Sequence, residues 1–119
     1  MVHGLLEASV VAGPSGPIIT LSGEADLTNA AELSALIRAQ LSDGTQELTI
    51  DMSGLRYADS ASIRTLVLAA RTLQERGSSL VLLRPQPTVA RILTLLGADQ
   101  IFTILGQTQG KPQPDGRAG

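Results

Sequence analysis

Apolar and polar positions along this chain follow two patterns. Short runs rich in leucine, isoleucine and valine, bounded by turn residues, have the length of β-strands. These runs are residues 5–11, 18–21, 47–51, 79–83 and 100–105. After the second run, three segments instead repeat apolar residues every three or four positions, the spacing of amphipathic helices. The predicted order of elements is β-β-α-β-α-β-α-β.

Capping residues and glycines set the boundaries of the first predicted helix. Asn29, followed three residues later by Glu32, has the spacing of a capping box, with Thr28 as the competing cap. The helix is expected to stop at Asp43-Gly44, because glycine accepts the left-handed conformation that ends many helices.

The other two helices have equally clear boundaries. The short run at residues 47–51 breaks at Asp51-Met-Ser-Gly54, and a helical pattern restarts after Asp59 and ends at Arg76-Gly77. The third helix is predicted from Thr88 to Leu96, closed by a glycine.

This order predicts a single α/β domain. Two strand-helix-strand units imply mostly parallel central strands, joined right-handedly, with helices covering at least one face. The first two strands, joined by a turn rich in glycine and proline, form an N-terminal antiparallel hairpin. We assign the domain to residues 1–105. Residues 106–119 are polar, rich in glycine and proline, and are predicted to be a disordered tail.

Charge and composition narrow the classes of partner. The 119 residues carry a net charge of -2, with one Tyr, one Phe and no Trp, so neither a basic surface nor aromatic platforms for nucleic acid are expected. No apolar stretch approaches the roughly 18 residues of a membrane span. The first nine residues lack the basic and apolar regions of a signal peptide. The expected location is the cytoplasm.

Most catalytic chemistry lacks its residues in this chain. Cysteine is absent and His3 is the single histidine, so neither an ordinary Ser-His-Asp triad nor a His/Cys zinc site is expected. No lysine follows a glycine-rich turn after a strand, which excludes a Walker A loop. We therefore predict no enzymatic activity, no cofactor and no metal.

Four carboxylates form an alternative candidate site. They belong to Glu24, Asp26, Asp51 and Asp59, all predicted in loops that follow strands, so some of them would converge at one end of the sheet. One interpretation is a magnesium-dependent phospho-acceptor aspartate, but that chemistry normally needs a lysine, and the predicted domain has none. For Asp51, bonding to the Ser53-Gly54 turn is the simpler role.

Ser60 is the remaining candidate, because it lies at the predicted start of the second helix. Serine and aspartate both cap helices, so either Ser60 or Asp59 can supply the cap. If Asp59 is the cap, the Ser60 hydroxyl lies at the first helical position and faces outward. Such a hydroxyl can accept a phosphoryl group from a kinase, which supplies its own base and metal. Capping and modification both remain open on this ground.

Three segments together resemble the STAS domains of anti-sigma-factor antagonists. They are Gly23-Glu-Ala-Asp-Leu before a helix, Ile50-Asp-Met-Ser-Gly-Leu, and Tyr57-Ala-Asp-Ser-Ala-Ser-Ile. The family's counterparts look like G-E-L-D, a strand ending in D-L-S, and D-S-x-G at the start of the next helix. The resemblance covers roughly residues 5 to 105, in matching order.

The resemblance implies a partner-switching regulator. A family member binds an anti-sigma factor that is also an ATP-dependent serine kinase, and thereby frees the sigma factor. Phosphorylation of the serine in D-S-x-G breaks the complex, and a phosphatase restores it. The matching acceptor is Ser60. Asp26 matches the aspartate of the G-E-x-D segment, which in the family lies near that serine and the partner surface, and Asp59 matches the residue before the acceptor.

The resemblance also marks two departures from the family pattern. Ser62 replaces the family's glycine and offers an alternative phosphorylation site, and Arg64 adds a charge to the same helix. The predicted partner-binding residues are Gly23, Glu24, Asp26, Asp59, Ser60, Ser62 and Arg64. A STAS subunit of a phospholipid-transport complex and a magnesium-dependent phospho-acceptor or nucleotide-hydrolysing enzyme remain as alternatives.

Overall fold

The computed structural model describes residues 5–41 and 44–106. Within them the chain forms one five-stranded sheet and three helices. The strands are β1 (Leu6–Ala12), β2 (Pro17–Ala25), β3 (Glu47–Ala58), β4 (Ser79–Leu83) and β5 (Thr103–Leu105). The helices are α1 (Ala30–Ala39), α2 (Ser60–Glu75) and α3 (Pro87–Leu95). The predicted order of elements is confirmed.

The strands lie in the sheet in the order in which they occur in the chain. β1 pairs with β2 in antiparallel fashion, and β2, β3, β4 and β5 run parallel to one another. The mixed sheet with an N-terminal hairpin is therefore as the sequence predicts. The tail predicted at residues 106–119 lies outside the described residues, except for Gly106.

The core lies between one face of the sheet and the helices. On β3, Leu48, Ile50 and Met52 are fully buried, while the alternating residues between them are only half-buried. This alternation is what a strand shows when a single face packs against other elements. Buried aliphatic side chains from all three helices join the same cluster. Phe102 adds the one aromatic ring.

β3 is much longer than the sequence predicts. Its predicted end at Asp51 and the loop to residue 58 are wrong, because the strand continues to Ala58 beside an equally extended β2. Gly54 permits this continuation at an irregular point of the pairing, where it opposes Ser22. A Cβ at residue 54 would lie 2.9 Å from the Ser22 Cβ, so glycine lets the two backbones approach.

β2 likewise continues through a segment predicted to be a polar connection. Residues 22–25 pair with the outer half of β3, and Gly23 does so with φ +99°. A Cβ on Gly23 would lie 1.9 Å from the Leu5 carbonyl oxygen, which accepts a hydrogen bond from the Glu24 amide. Gly23 is thus required by the packing of the hairpin.

The helix ends differ from the predictions mainly in α1. Its capping box is wrong, because the Asn29 side chain makes no cap hydrogen bond. α1 also ends at Ala39, short of the predicted stop at Asp43-Gly44, of which Asp43 lies outside the described residues. The predicted ends of the other two helices are confirmed, since each is followed by a glycine with positive φ, Gly77 and Gly97.

Candidate functional site

The N-terminus of α2 is organised by the carboxylate of Asp59. Its Oδ1 accepts hydrogen bonds from the Ser62 amide at 2.9 Å and from the Ser62 hydroxyl at 3.0 Å. Its Oδ2 accepts a hydrogen bond from the Leu27 amide at 2.9 Å, across the β2–α1 loop. The Asp59 amide donates to the Ala25 carbonyl at 3.1 Å. One residue therefore caps α2 and fastens the neighbouring loop to it.

Ser60 is the first residue of α2, and its side chain is exposed. Because Asp59 supplies the cap, capping is not the role of Ser60. The cap therefore belongs to Asp59, and modification of Ser60 stays a prediction. An exposed hydroxyl at the first helical position is accessible to an incoming enzyme.

Ser62 occupies a different environment two residues further on. Only 1% of its surface is exposed, and its hydroxyl donates to Asp59. The side chain that replaces the family glycine therefore adds a second hydrogen bond to the cap. In this conformation the Ser62 hydroxyl does not lie on the surface where the Ser60 hydroxyl lies.

The β2–α1 loop reaches the same site through Asp26. Its Oδ1 accepts hydrogen bonds from the Thr28 amide, at 2.9 Å, and from the Thr28 hydroxyl. The Asp26 amide donates to the Asn29 Oδ1 at 2.9 Å. Asp26 thus stabilises from within the same loop that Asp59 fastens to α2.

Asn29 connects this loop to the end of β2 through its buried side chain. It is 7% exposed, and its Nδ2 donates to the Glu24 carbonyl at 3.0 Å while its Oδ1 accepts from Asp26. The side chain that looked like a helix cap in the sequence instead connects the end of β2 to the loop. Sequence reasoning missed this role because both partners are backbone groups, which leave no residue-specific signal.

The remaining predicted site residues lie around this group but have separate partners. Glu24 lies within β2, where its carboxylate is 3.6 Å from the Arg56 guanidinium on β3. Arg64 is exposed on α2, one turn beyond Ser60. Gly23 serves the hairpin through its backbone. The structure therefore brings Asp26, Asp59 and Ser60 together.

Asp51 is not part of this site. It lies within β3 and forms a 2.7 Å ion pair with Arg84, at the end of β4. Burial by itself would raise the pKa of Asp51, but hydrogen bonds from the backbone and side chain of Ser53 and the charge of Arg84 together hold it below its usual value. The predicted bond to the Ser53 turn exists, from the Ser53 amide at 3.0 Å, although within a strand.

Of the four candidate carboxylates, Asp26 and Asp59 lie at the same loop contact, whereas Asp51 pairs with Arg84 away from it. The prediction that all follow strands is wrong for Glu24 and Asp51, which lie inside β2 and β3. Within residues 5–41 and 44–106, no group of three or more His, Cys, Asp or Glu side chains is arranged to hold a metal ion. None of the helices described is long and apolar enough to cross a membrane.

A groove of about 330 Å³ lies between α1 and α2. Its lining residues are Ser34, Ile37, Arg38, Leu41, Thr65, Leu68, Ala69, Thr72 and Arg76. None of the predicted site residues lines this groove. The group at the start of α2 therefore lies outside this groove.

This arrangement, a hairpin-led parallel sheet with an exposed serine opening its second helix, is that of a STAS domain. The family model described as "Mlab, STAS domain" matches residues 8–106. A protein of Bordetella bronchiseptica that carries the name of an anti-sigma factor antagonist, BtrV, is 31% identical over 87 residues, which is 73% of this chain and 75% of that protein. This chain belongs to the STAS domain family and, within it, to the anti-sigma factor antagonists.

Solved structures of anti-sigma factor antagonists share the fold. The crystal structure of one from Mycobacterium paratuberculosis has a TM-score of 0.76 at 23% identity, over 87% of this chain and 88% of that one. Unphosphorylated SpoIIAA has a TM-score of 0.71 at 20% identity, over 82% and 87% of the two chains. The phosphorylated form of Bacillus SpoIIAA has a TM-score of 0.65 at 19% identity, over 82% and 90%. The resemblance inferred from three short segments is confirmed.

Proposed function

We propose that this chain binds an anti-sigma factor that is also an ATP-dependent serine kinase, and that phosphorylation of Ser60 ends the complex. Unmodified, it occupies the anti-sigma factor in the cytoplasm and frees the sigma factor. A phosphatase restores the unmodified form. The chain acts by binding and has no enzymatic activity of its own. The observation that carries this proposal is the exposed Ser60 hydroxyl at a helix start whose cap is supplied by Asp59.

The geometry favours Ser60 over Ser62 as the acceptor. In the transfer, the serine oxygen forms a bond to the γ-phosphorus of ATP, the bond to the bridging oxygen breaks, and ADP leaves. The hydroxyl proton passes to a base of the kinase. Ser60 is exposed, whereas the Ser62 hydroxyl is buried and donates to Asp59, so modification of Ser62 requires the cap to open first.

Electrostatics account for release without unfolding. Phosphoserine adds about -1.5 to -2 charges, and here it would follow directly after Asp59 in a region that also contains Asp26. A dianion at this surface opposes any partner that packs tightly against it. The helix N-terminus itself favours negative charge, so α2 need not melt. Structures of SpoIIAA in both states match this fold, which supports the same behaviour here.

The residues around Ser60 supply the remaining partner surface. Asp26 and Glu24 flank it from β2 and its loop, and Arg64 extends it along α2. Gly23 acts indirectly, since it lets β2 continue to this end of the sheet. Ser62 strengthens the cap beneath the surface.

The proposal is tested by recovering the tagged chain from its own cells, with and without ATP, and mapping phosphate by mass spectrometry. We expect an anti-sigma factor to co-purify, and one phosphate to appear at Ser60 when that factor and ATP are added. The Ser60→Ala variant should bind the same factor and accept no phosphate.

Other outcomes would identify the alternatives. Co-purification with a transporter ATPase, with no phosphate transferred, would indicate the phospholipid-transport role. Magnesium-dependent turnover by the isolated chain would indicate an enzyme. Phosphate mapped to Ser62 or elsewhere would overturn the assignment of Ser60.

A further inference from the structure

Leu27 is an apolar side chain placed in the middle of a polar site. It lies in the β2–α1 loop between Asp26 and Thr28, and 76% of its surface is exposed. Single exposed leucines are common on protein surfaces, so exposure alone assigns no role. What distinguishes this leucine is the backbone that carries it.

The backbone around Leu27 is held by side chains on both sides. Its own amide donates to the Asp59 Oδ2 at 2.9 Å. On one side, the Asp26 amide donates to Asn29, and on the other the Thr28 amide donates to Asp26, each at 2.9 Å. Asn29 is itself buried and bonded to β2. The loop thus presents a solvated leucine on a fixed backbone.

A fixed backbone with an exposed apolar side chain is suited to binding. Association costs less free energy when the contacting segment is ordered beforehand, and a few fully desolvated residues in well-packed pockets usually carry most of the binding energy of an interface. In the isolated chain most of the Leu27 side chain remains in water, so this side chain adds little to the stability of the fold. The hydrogen bonds that hold its backbone are therefore consistent with a contact made only in a complex.

Leu27 is also connected to the proposed phosphorylation site by a single group. The Asp59 carboxylate accepts a hydrogen bond from the Leu27 amide and also caps α2, of which Ser60 is the first residue. The anchor and the acceptor hydroxyl are therefore held in a fixed relation. A partner that contacts one is expected to contact the other.

We propose that Leu27 is the apolar anchor of the anti-sigma factor interface, inserted into an uncharged apolar pocket of that partner. This inference rests on the proposed function. It explains why a phosphate at Ser60 opposes binding: the dianion would have to lose water at the edge of an apolar contact, which is unfavourable. The pocket and the phosphorylation site are then parts of one contact surface.

The test compares two leucines of nearly equal exposure. Leu95, at the end of α3, is 74% exposed and serves as the matched control. The probe is the anti-sigma factor that co-purifies with this chain, produced separately and titrated calorimetrically with full-length variants. Leu27→Ala should weaken binding at least about tenfold and Leu27→Asp further, as for an interface anchor. Leu95→Ala and Leu95→Asp should bind within about twofold of the unaltered chain.

Two measurements keep the result specific. Thermal unfolding should be nearly unchanged in Leu27→Ala, because the side chain is exposed, and Leu27→Met should restore most of the affinity. Equal affinity of Leu27→Asp and the unaltered chain would overturn the anchor while leaving the switch at Ser60 intact. If the unaltered chain binds no anti-sigma factor, both the anchor and the proposed function are wrong.

Discussion

The N-termini of α2 and α3 occupy equivalent positions after parallel strands but are built differently. α2 is capped by a charged residue, Asp59, whose carboxylate accepts three hydrogen bonds. α3 begins with Pro87 after Gln86, which makes no side-chain cap hydrogen bond. Proline suits a first helical position because the amide it lacks would have no partner within the helix.

The polar side chains at the N-termini of α2 and α3 also have different roles. At α3, the Gln86 Nε2 donates to the Ser53 carbonyl at 2.6 Å and the Thr88 hydroxyl donates to the Arg56 carbonyl at 3.0 Å. These groups bind α3 to the outer half of β3. At α2, Asp59 takes over the structural work, so Ser60 can face outward. Two exposed hydroxyl residues in first turns are therefore not equivalent, because one already serves the fold.

The largest expected effect separates these two hydroxyl positions by charge. Ser60→Asp should lower the affinity for the anti-sigma factor by about 100-fold, or about 2.8 kcal/mol, because it places a fixed negative charge at the proposed contact. Thr88→Asp is the matched control and should change the affinity less than about threefold. Both are measured by calorimetric titration. Equal losses in the two variants would show that charge at any helix start disrupts binding.

The next effect compares the caps. Asp59→Ala should lower the free energy of unfolding by about 2 to 3 kcal/mol, because it removes the cap and leaves the buried Ser62 hydroxyl without its acceptor. Gln86→Ala should cost less than about 1 kcal/mol, since only an exposed hydrogen bond is lost.

Urea denaturation of the two variants measures both values. A larger loss in Gln86→Ala would mean that the contact of Gln86 with β3 matters more to the fold than the cap of α2. Asp59→Ala could also show the full expected decrease in the free energy of unfolding with no change in the hydrogen exchange of the Leu27 amide. That result would mean that Asp59 stabilises α2 without ordering the β2–α1 loop.

The smallest effect concerns the ion pair that precedes α3. The pKa of Asp51 is lower in the folded chain than in an unfolded one, so its ionised form stabilises the fold above the ordinary carboxyl pKa of about 3.9. This contribution is lost as the pH falls through the lower, folded pKa. Asp51→Asn should cost about 1 kcal/mol at pH 7, a modest value because Arg84 is 47% exposed.

The measurement is urea denaturation of both chains at pH 7 and in the acid range. The difference between the unaltered chain and Asp51→Asn should shrink as the pH falls below about 4. A difference that stays constant with pH would show that Asp51 acts through packing and not through its charge.

The order of elements was predictable because its signals are local. Apolar spacing and the glycines at residues 77 and 97 mark α2 and α3 without reference to the rest of the chain. The outer halves of β2 and β3 were not predictable in this way. Small polar residues such as Ser22, Ser53 and Gly54 are typical of loops, and only their pairing across the sheet makes them strands.

The site was predictable to the extent that its residues have a family pattern. Ser60 and Asp59 follow from the motif and from capping chemistry. The sequence predicts a cap at Asn29, because an asparagine before a helix usually has that role, yet its side-chain Oδ1 accepts from the Asp26 amide and its Nδ2 donates to the Glu24 carbonyl. Leu27 carries no such pattern, since a leucine in a sequence indicates a core position until its exposure is known.

The length of β3 has a consequence for how this end of the molecule can be recognised. β4 pairs with β3 only as far as Asp51, so the following residues would present a sheet edge open to another chain. Gln86 and Thr88 already donate to carbonyls of that stretch. A β-strand of another chain would have to displace the start of α3 before it could extend the sheet here. Main-chain augmentation is therefore disfavoured on this edge, which also limits indiscriminate self-association.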